Sequence, residues 1–403
     1  MRENIVITGI GILSPLRPFE GTGSFWQALC SGEDTIKIMK PPFLDLGKWP
    51  MAAIDTGAFP EQINMEDKIG FLAQEAMKMA IADSGLDMTS ILNECKAGLT
   101  LGTVLGNILY KEARTISPDL TKGGNNRVED ITGYDDSLSG IASGLALKHG
   151  LNGPVFTVST ACASGTDAVG IACRKIISGR ADIMFAGGMD ILSDFAIAGF
   201  NSLQAITTDK VRPFDRNRNG LALGEGAAFM VLESEKNALR RKAEIYGRVI
   251  GYAARSDANH LTGPHRDGRG LASAIQAAIS DAQIPNNRID YINAHGTGTP
   301  YNDLMETKAL KSAFGDLAYD IPVSSTKSML GHSFGAAGVI EAICCLLAIK
   351  DGIIPPTINY HDKDPECDLN YTPNVAVEKS VRTSMSMSAG FGGQNSVILL
   401  AAP

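Results

Sequence analysis

Three residues of this sequence could act on one substrate if the fold gathers them: Cys162, His295 and His332. Cys162 lies within Val155-Phe-Thr-Val-Ser-Thr-Ala-Cys-Ala-Ser-Gly-Thr-Asp-Ala-Val-Gly-Ile-Ala172, where a short β-branched run turns through small residues into an apolar helical segment. At such a junction the free N–H groups and the positive end of the helix dipole favour a thiolate. Cysteines so placed have pKa values of roughly 3.5–7.5, and the thiolate is the attacking species. Burial as a small hydrophobe is nevertheless the commoner fate of a free cysteine, and only the rest of the chain reverses that balance.

His295 sits in Asn293-Ala-His-Gly-Thr-Gly-Thr-Pro300 and His332 in Lys327-Ser-Met-Leu-Gly-His-Ser. Like Cys162, each closely follows a predicted strand, and in open α/β sheets such strand ends converge on the ligand crevice. A lone histidine is more often structural. Two in Gly-rich turns beside a poised cysteine point to chemistry. A cysteine with a histidine base fits a hydrolase. Cysteine with two histidines also fits zinc, although the three lack metal-ligand spacing and no fourth ligand is evident. A third use is carbon–carbon bond formation on thioesters: the thiolate carries an acyl group, and two neutral imidazoles donate to the enolate left when a malonyl group loses carbon dioxide.

The elements that must position these residues alternate strand and helix. Strands are expected at 5–12, 97–102, 181–190, 227–232, 245–252, 289–294, 321–325 and 396–400. Helices are expected at 65–84, 141–147, 269–282 and from Gly331 through Ile349. Residues 19–62 and 112–132 read as irregular. The strand–turn–helix around Cys162 is echoed by Val323-Ser-Ser-Thr-Lys-Ser-Met-Leu-Gly-His-Ser-Phe-Gly, and Gly226-Ala-Ala-Phe-Met-Val-Leu by Gly393-Gln-Asn-Ser-Val-Ile-Leu-Leu. Two α/β halves of one plan are implied, 1–240 and 241–403.

The 403 residues are enough for such a duplicated core, and 43 glycines fit many tight turns. A net charge of −8 argues against nucleic-acid affinity or a polybasic membrane anchor. Seven cysteines without paired spacing fit a reducing compartment. The apolar start, Ile5 to Ile12, is short, β-branched and without a cleavage site, so it reads as a core strand. The apolar segment near Val339–Ile349 is too short to span a bilayer. A cytoplasmic protein is expected.

Six motifs in order carry a resemblance over essentially the whole chain: Ser159-Thr-Ala-Cys-Ala-Ser-Gly165, Arg212-Pro-Phe-Asp-Arg216, Gly224-Glu-Gly226, Asn293-Ala-His-Gly-Thr-Gly-Thr299, Ser324-Ser-Thr-Lys-Ser-Met-Leu-Gly-His332 and Gly390-Phe-Gly-Gly393. The chain resembles the β-ketoacyl-[acyl-carrier-protein] synthases of the thiolase-like superfamily. The resemblance implies a layered αβαβα fold of two related halves. It makes Cys162 the acyl-accepting nucleophile, with His295 and His332 supporting decarboxylation and the enolate. Lys327 would orient the histidines, paired with Glu341. The N–H groups of Cys162 and Phe391 would form an oxyanion hole, with Phe391 also the gate. Thr297 and Thr299 would hold the carrier's phosphopantetheine arm, the enzyme itself needing no metal or organic cofactor. Asp303 and Glu306 read as structural anchors, and Cys344 and Cys345 as core.

Within that family, Asn302-Asp303 with Glu306-Thr307, Asp364-Pro-Glu-Cys-Asp-Leu-Asn370 and Met387-Ser-Ala-Gly-Phe-Gly-Gly-Gln394 resemble ketosynthase α subunits of type II polyketide synthases. These pair with a chain-length factor. The alternative is a homodimeric elongating synthase of fatty-acid biosynthesis. Ala389 stands where elongation enzymes typically carry phenylalanine. Gln204 stands where relatives often present an arginine, which leaves Lys210, Arg212, Arg216 and Arg218 to meet an acidic carrier protein, the segment from Gln62 to Asp67 being acidic itself. The alternative for those arginines is bracing a loop. A degradative thiolase would need a second cysteine within 388–395, where there is none. A non-catalytic partner subunit would not be expected to keep Cys162 with both histidines.

Overall fold

The Ile5–Leu13 strand is β-branched along most of its length and buried throughout, the pattern of a strand covered on both faces. It lies at the middle of a ten-stranded sheet in this computed structural model, which describes residues 3–55, 57, 59, 63, 65–116 and 137–403. A Cβ on Gly11 would lie 2.1 Å from the carbonyl oxygen of Ala76, so that glycine lets the Lys68–Asp83 helix rest directly on the strand.

From one edge, the strand order is Val155–Val158, Ala97–Gly102, Ile183–Asp190, Gly226–Ser234, Ile5–Leu13, Gly247–Ser256, Gln394–Ala401, Thr383–Gly390, Tyr291–Asn293 and Val323–Ser324. The first five strands pair as parallel, parallel, antiparallel, antiparallel. Read inward from the other edge, the last five pair in the same sequence. The halves meet through the antiparallel pairing of Ile5–Ile7 with Gly247–Val249. Strand Val155–Val158, which precedes Cys162, therefore corresponds to Val323–Ser324, which precedes Lys327 and His332.

Between the two strand groups lie the helices Ser164–Ile177 and Ala337–Asp351, each touching strands of both halves. Their positions explain their composition. Ala337–Asp351 is apolar nearly all round because it is buried on all sides, and Cys344 and Cys345 are fully enclosed in it. The Lys68–Asp83 helix covers one outer face, and Arg269–Ala282 with Pro300–Phe314 covers the other. The layers run α, β, α, β, α: one apolar core surrounds the central helices and reaches the strands of both halves, and one lies beneath each outer helical layer. No helix among the described residues is long and apolar enough to cross a membrane.

Several local expectations need correction. Residues 19–62 are not uniformly irregular: Gly21–Cys30 is helical, and Lys37–Met39 and Trp49–Ala52 are strands. In the segment read as loop-like, Ile108–Ile116 is a helix, and 117–132 lie outside the described residues. Gln62 and Asn64 of the acidic segment also lie outside them. The strand Thr383–Gly390 and the helix Pro300–Phe314 had no counterpart in the sequence reading. That helix hides its amphipathic signal because its buried face includes Asp303, Glu306 and Thr307.

Candidate active site

Cys162 stands between strand Val155–Val158 and helix Ser164–Ile177, on a turn whose preceding residue, Ala161, takes the left-handed φ of 51°. Ser164 Oγ fixes that turn by donating to the Ala161 carbonyl at 2.5 Å and accepting from Thr160 N–H at 2.9 Å. His295 follows strand Tyr291–Asn293, and its N–H and that of Gly296 donate to the two Glu306 carboxylate oxygens at 2.7 and 2.6 Å. His332 follows the short helix Lys327–Leu330, its N–H donating to the Ala222 carbonyl at 2.8 Å.

These three turns meet. The Cys162 sulfur and one ring nitrogen from each histidine all lie within 4.8 Å of one another, and all three residues are buried. The imidazoles stand edge to face, centroids 5.1 Å apart. Nδ1 of His332 accepts from the Phe334 N–H at 3.2 Å. Nδ1 of His295 lies 3.3 Å from Nζ of Lys327, an ammonium with donors only. With both Nδ1 atoms accepting, the proton of each neutral ring is on Nε2. Burial holds both histidines well below their ordinary pKa, and the Lys327 charge pushes the same way. The site thus presents two neutral N–H donors beside one sulfur.

That tautomer bears on the zinc reading. A zinc-bound histidine donates its second ring N–H to an acceptor. Here each second nitrogen meets a donor, so the nitrogens left for a ligand carry protons rather than lone pairs. The cluster fits binding of a developing oxyanion, not of a cation.

Lys327 is buried and ion-paired with Glu341 of the central helix. Burial raises the Glu341 carboxyl to about 7 against the pull of that ammonium. Asp303 accepts from Phe214 N–H at 2.7 Å and Gly298 N–H at 3.2 Å, and its neighbour Arg218 Nε stands 4.0 Å away. Asp303 and Glu306 anchor backbone turns and are fully buried. Glu225 of the Gly-Glu-Gly motif does likewise, taking the Ile54 and Leu192 N–H groups and pairing with buried Lys68.

One expectation about Cys162 is overturned. The thiol is not poised as a thiolate; burial pushes its pKa up to about 12, with Lys327 opposing that rise. The helix start that would favour the anion is itself enclosed, and desolvation outweighs it. The backbone N–H groups of Phe391 and of Cys162 itself oppose the rise as well. Gly390 makes the approach possible, since a Cβ there would lie 3.0 Å from the Cys162 nitrogen.

A cavity of about 490 Å³ opens from Cys162 and the two histidines past Thr297, Thr299, Ala389 and Phe391. The threonine hydroxyls are 2.9 Å apart. Sequence reasoning missed Phe200, which stacks on Phe391 with centroids 5.3 Å apart, and the cavity-lining His260 and Tyr301. His260 had a detectable signal in its short Thr262-Gly-Pro turn; Phe200 had none.

The proposed docking cations divide. Arg218 braces structure, its side chain bonded to Asp364 at 2.5 Å and to the carbonyls of Asp215 and Pro300. Lys210 pairs with Asp34 at 2.6 Å and Arg212 with Asp209 at 2.5 Å. Arg216 is exposed, and Gln204 lies exposed on the cavity wall.

Residues 2–238 match the N-terminal domain of the beta-ketoacyl synthases, and residues 246–361 match the C-terminal domain. The whole chain is 41% identical to the tetracenomycin polyketide synthase ketoacyl synthase alpha subunit of Streptomyces glaucescens, of which it covers 97%. It superposes on the ishigamide ketosynthase/chain length factor with a TM-score of 0.88 at 35% identity, both chains covered in full. It also superposes, again in full on both sides, on one chain of the AntDE:AntF complex, a type II PKS acyl-carrier protein in complex with its ketosynthase bound to the hexaketide, with a TM-score of 0.87 at 32% identity.

Proposed function

The chain belongs to the beta-ketoacyl synthase family, and from that premise we propose that it is the ketosynthase α subunit of a type II polyketide synthase. It performs the decarboxylative Claisen condensation of malonyl-[acyl-carrier protein] with an acyl chain held on Cys162. The halves of the enzyme divide between residues 240 and 241 in this reading.

In the first step the Cys162 sulfur attacks the thioester carbonyl of an acyl-carrier protein. The new S–C bond forms as the carrier's C–S bond breaks, and the thiol proton ends on the carrier's departing sulfur. The tetrahedral oxyanion is held by the N–H groups of Cys162 and Phe391. In the second step malonyl-carrier protein loses carbon dioxide; the electron pair of the broken C–C bond forms an enolate whose oxygen accepts from Nε2–H of His295 and His332. Neutral rings suit this work, because each gives a hydrogen bond without transferring its proton. The enolate carbon then attacks the acyl thioester carbonyl, and collapse breaks its C–S bond and expels the Cys162 sulfur, which takes up one proton from solvent, the proton that decarboxylation of the malonyl carboxylate consumes overall.

In this reading the reaction calls on no metal or organic cofactor beyond the carrier's own arm. The carrier's phosphopantetheine arm enters past the hydroxyls of Thr297 and Thr299, and Phe391 stands as the gate. Lys327, paired with Glu341, orients His295; Asp303 and Glu306 hold the turns; Ala389 shapes the wall. The identities with the tetracenomycin α subunit and the fit to ketosynthase/chain-length-factor and carrier complexes support a heterodimer with a chain-length factor.

The observation that carries the reading is the pairing of two Nε2–H donors with one sulfur in a single enclosed site. The test is co-expression with candidate partner chains and acyl-carrier protein, followed by intact mass of the complex and of its carriers. A complex with a chain-length factor that consumes malonyl-carrier and acylates Cys162 is expected. Thioester turnover without malonyl consumption would make it a hydrolase. A homodimer active on ordinary fatty acyl carriers would move it to the fatty-acid branch.

A further inference from the structure

Asp190 ends the strand Ile183–Asp190, is wholly buried, and has no part in the reaction described above. Among the described residues no cation lies within ion-pair distance of it. Its carboxylate is instead held by four hydrogen-bond donors: Thr103 Oγ1 at 2.8 Å, Val104 N–H at 2.8 Å, Leu105 N–H at 2.9 Å and Gly335 N–H at 2.7 Å. Four donors converging on two oxygens suit an anion. Asparagine offers one acceptor oxygen and would turn its own N–H groups toward backbone donors.

The Gly335 bond leads to the site. Gly335 packs so tightly that a Cβ would lie 2.7 Å from the Asp190 carboxylate and 2.7 Å from Cα of Thr103. The residue before it, Phe334, is held at a φ of 48°, a conformation costly for a side chain of that size. It is the N–H of Phe334 that donates to Nδ1 of His332, and the Phe334 ring lies nearly parallel to the imidazole, centroids 5.7 Å apart. The other arm of the clamp fixes Val104 and Leu105, which pack in the same apolar cluster as Phe334 and Phe200.

We propose that Asp190 is a positioning residue for His332: by clamping Gly335 to the 103–105 loop it holds Phe334 where its N–H fixes the His332 proton on Nε2, facing the enolate. The inference rests on the reading of His332 as an enolate donor. It separates the two half-reactions. Acylation of Cys162 relies on the N–H groups of Cys162 and Phe391, which Asp190 does not touch. The Asp190 charge also raises the Cys162 pKa, so its removal does not disfavour the nucleophile.

The experiment compares the wild-type enzyme with Asp190→Asn and with Thr103→Val, the latter removing one of the four donors. It measures carbon dioxide release from malonyl-carrier protein, Cys162 acylation by intact mass, and the nitrogen resonances of ¹⁵N-labelled histidines, with His332 assigned from His332→Asn. For Asp190→Asn we expect kcat for decarboxylation to fall ~10–100-fold at similar KM, acylation to stay within ~3-fold, and the His332 signals to show mixed tautomers. For Thr103→Val the same split is expected at ~2–5-fold. Equal losses in both half-reactions, or no loss with an unchanged His332 tautomer, overturn the proposal. If Asp190→Asn does not fold, Thr103→Val decides on the same criteria. A wild-type enzyme that releases no carbon dioxide defeats the proposed function instead, and the tautomer measurement still judges the role of Asp190.

Discussion

Nζ of Lys327 stands 3.3 Å from Nδ1 of His295 while its charge is shared with Glu341 on the central helix. The lysine therefore does two separable things: it sets a histidine tautomer, and it neutralises a buried carboxylate. Lys327→Met removes both. Leaving Glu341 unpaired costs about 3–5 kcal/mol of stability, read as a fall in the denaturation midpoint. The double variant Lys327→Met/Glu341→Leu replaces the pair with apolar volume and recovers most of that stability. Decarboxylation of malonyl-carrier stays ~10²–10³-fold down in both variants. Recovery of activity along with stability would show that the lysine acts on the fold alone.

The sulfur's resting state sets a second expectation. With the Cys162 thiol pushed up to about 12 by burial, the folded enzyme carries less thiolate at neutral pH than a free cysteine does. Alkylation by iodoacetamide, followed as loss of condensing activity, should climb ~10-fold per pH unit from 7 to 9.5. A plateau below pH 8 would instead mean a thiolate stabilised as the helix dipole alone predicts.

That disagreement marks where sequence reasoning stops. The Cys162, His295 and His332 cluster was legible because each member lies among glycines and small residues shortly after a segment that reads as a strand. The symmetric halves were legible from apolar runs. What the chain does not display is burial depth, and depth decides the charge state of Cys162. Asp190 ends a strand that its apolar residues make legible, but its four donors come from residues 103–105 and 335, far apart in sequence. The Pro300–Phe314 helix escaped for a related reason: Asp303 and Glu306 face inward to hold backbone N–H groups, which reverses the polarity that periodicity relies on.

Gly390 gives a prediction about geometry alone. A methyl group there would lie 3.0 Å from the Cys162 nitrogen and 3.1 Å from Cβ of Ala161, so the Phe391 N–H must back away from the sulfur. Gly390→Ala should slow Cys162 acylation ~10²-fold, the loss expected for one oxyanion donor. Malonyl decarboxylation should change much less. Stopped-flow acylation by an acyl-carrier thioester checks this; an unimpaired rate would remove Phe391 from the oxyanion hole.

The histidines couple the site to acid stability. Both have folded pKa values well below the usual 6.5 through burial, whereas in the unfolded chain they titrate normally. Below pH 6.5 the unfolded state binds protons that the folded state refuses, so each histidine makes stability rise with pH in that window and fall on acidification. The slope is up to about 1.4 kcal/mol per pH unit for each. Buried Glu306 and Asp190, raised to about 8 and about 6, push the other way and blur the wild-type curve. The difference between wild type and His332→Asn isolates one histidine. Urea midpoints between pH 7 and 5 should show the wild type losing stability more steeply than the variant, and parallel curves would mean that His332 takes up its proton while folded.

Ala389 lies one residue before the Gly390 contact and forms part of the cavity wall next to Phe391, half-buried and paired across the sheet with Asn395. Phenylalanine at this position adds a ring to a space of about 490 Å³ and sets it beside the Phe391–Phe200 stack. Two consequences separate by measurement. If the ring narrows the cavity, Ala389→Phe accepts short acyl groups onto Cys162 at near wild-type rate but loses long ones, and the product profile shifts toward shorter chains. If it instead locks the gate, acylation slows ~10-fold for every chain length alike, and the profile keeps its shape. The packing favours the first, because Ala389 contributes to the wall directly while Phe391 is already seated on Phe200. A length-independent loss would reassign Ala389 from shaping the pocket to permitting the gate to move.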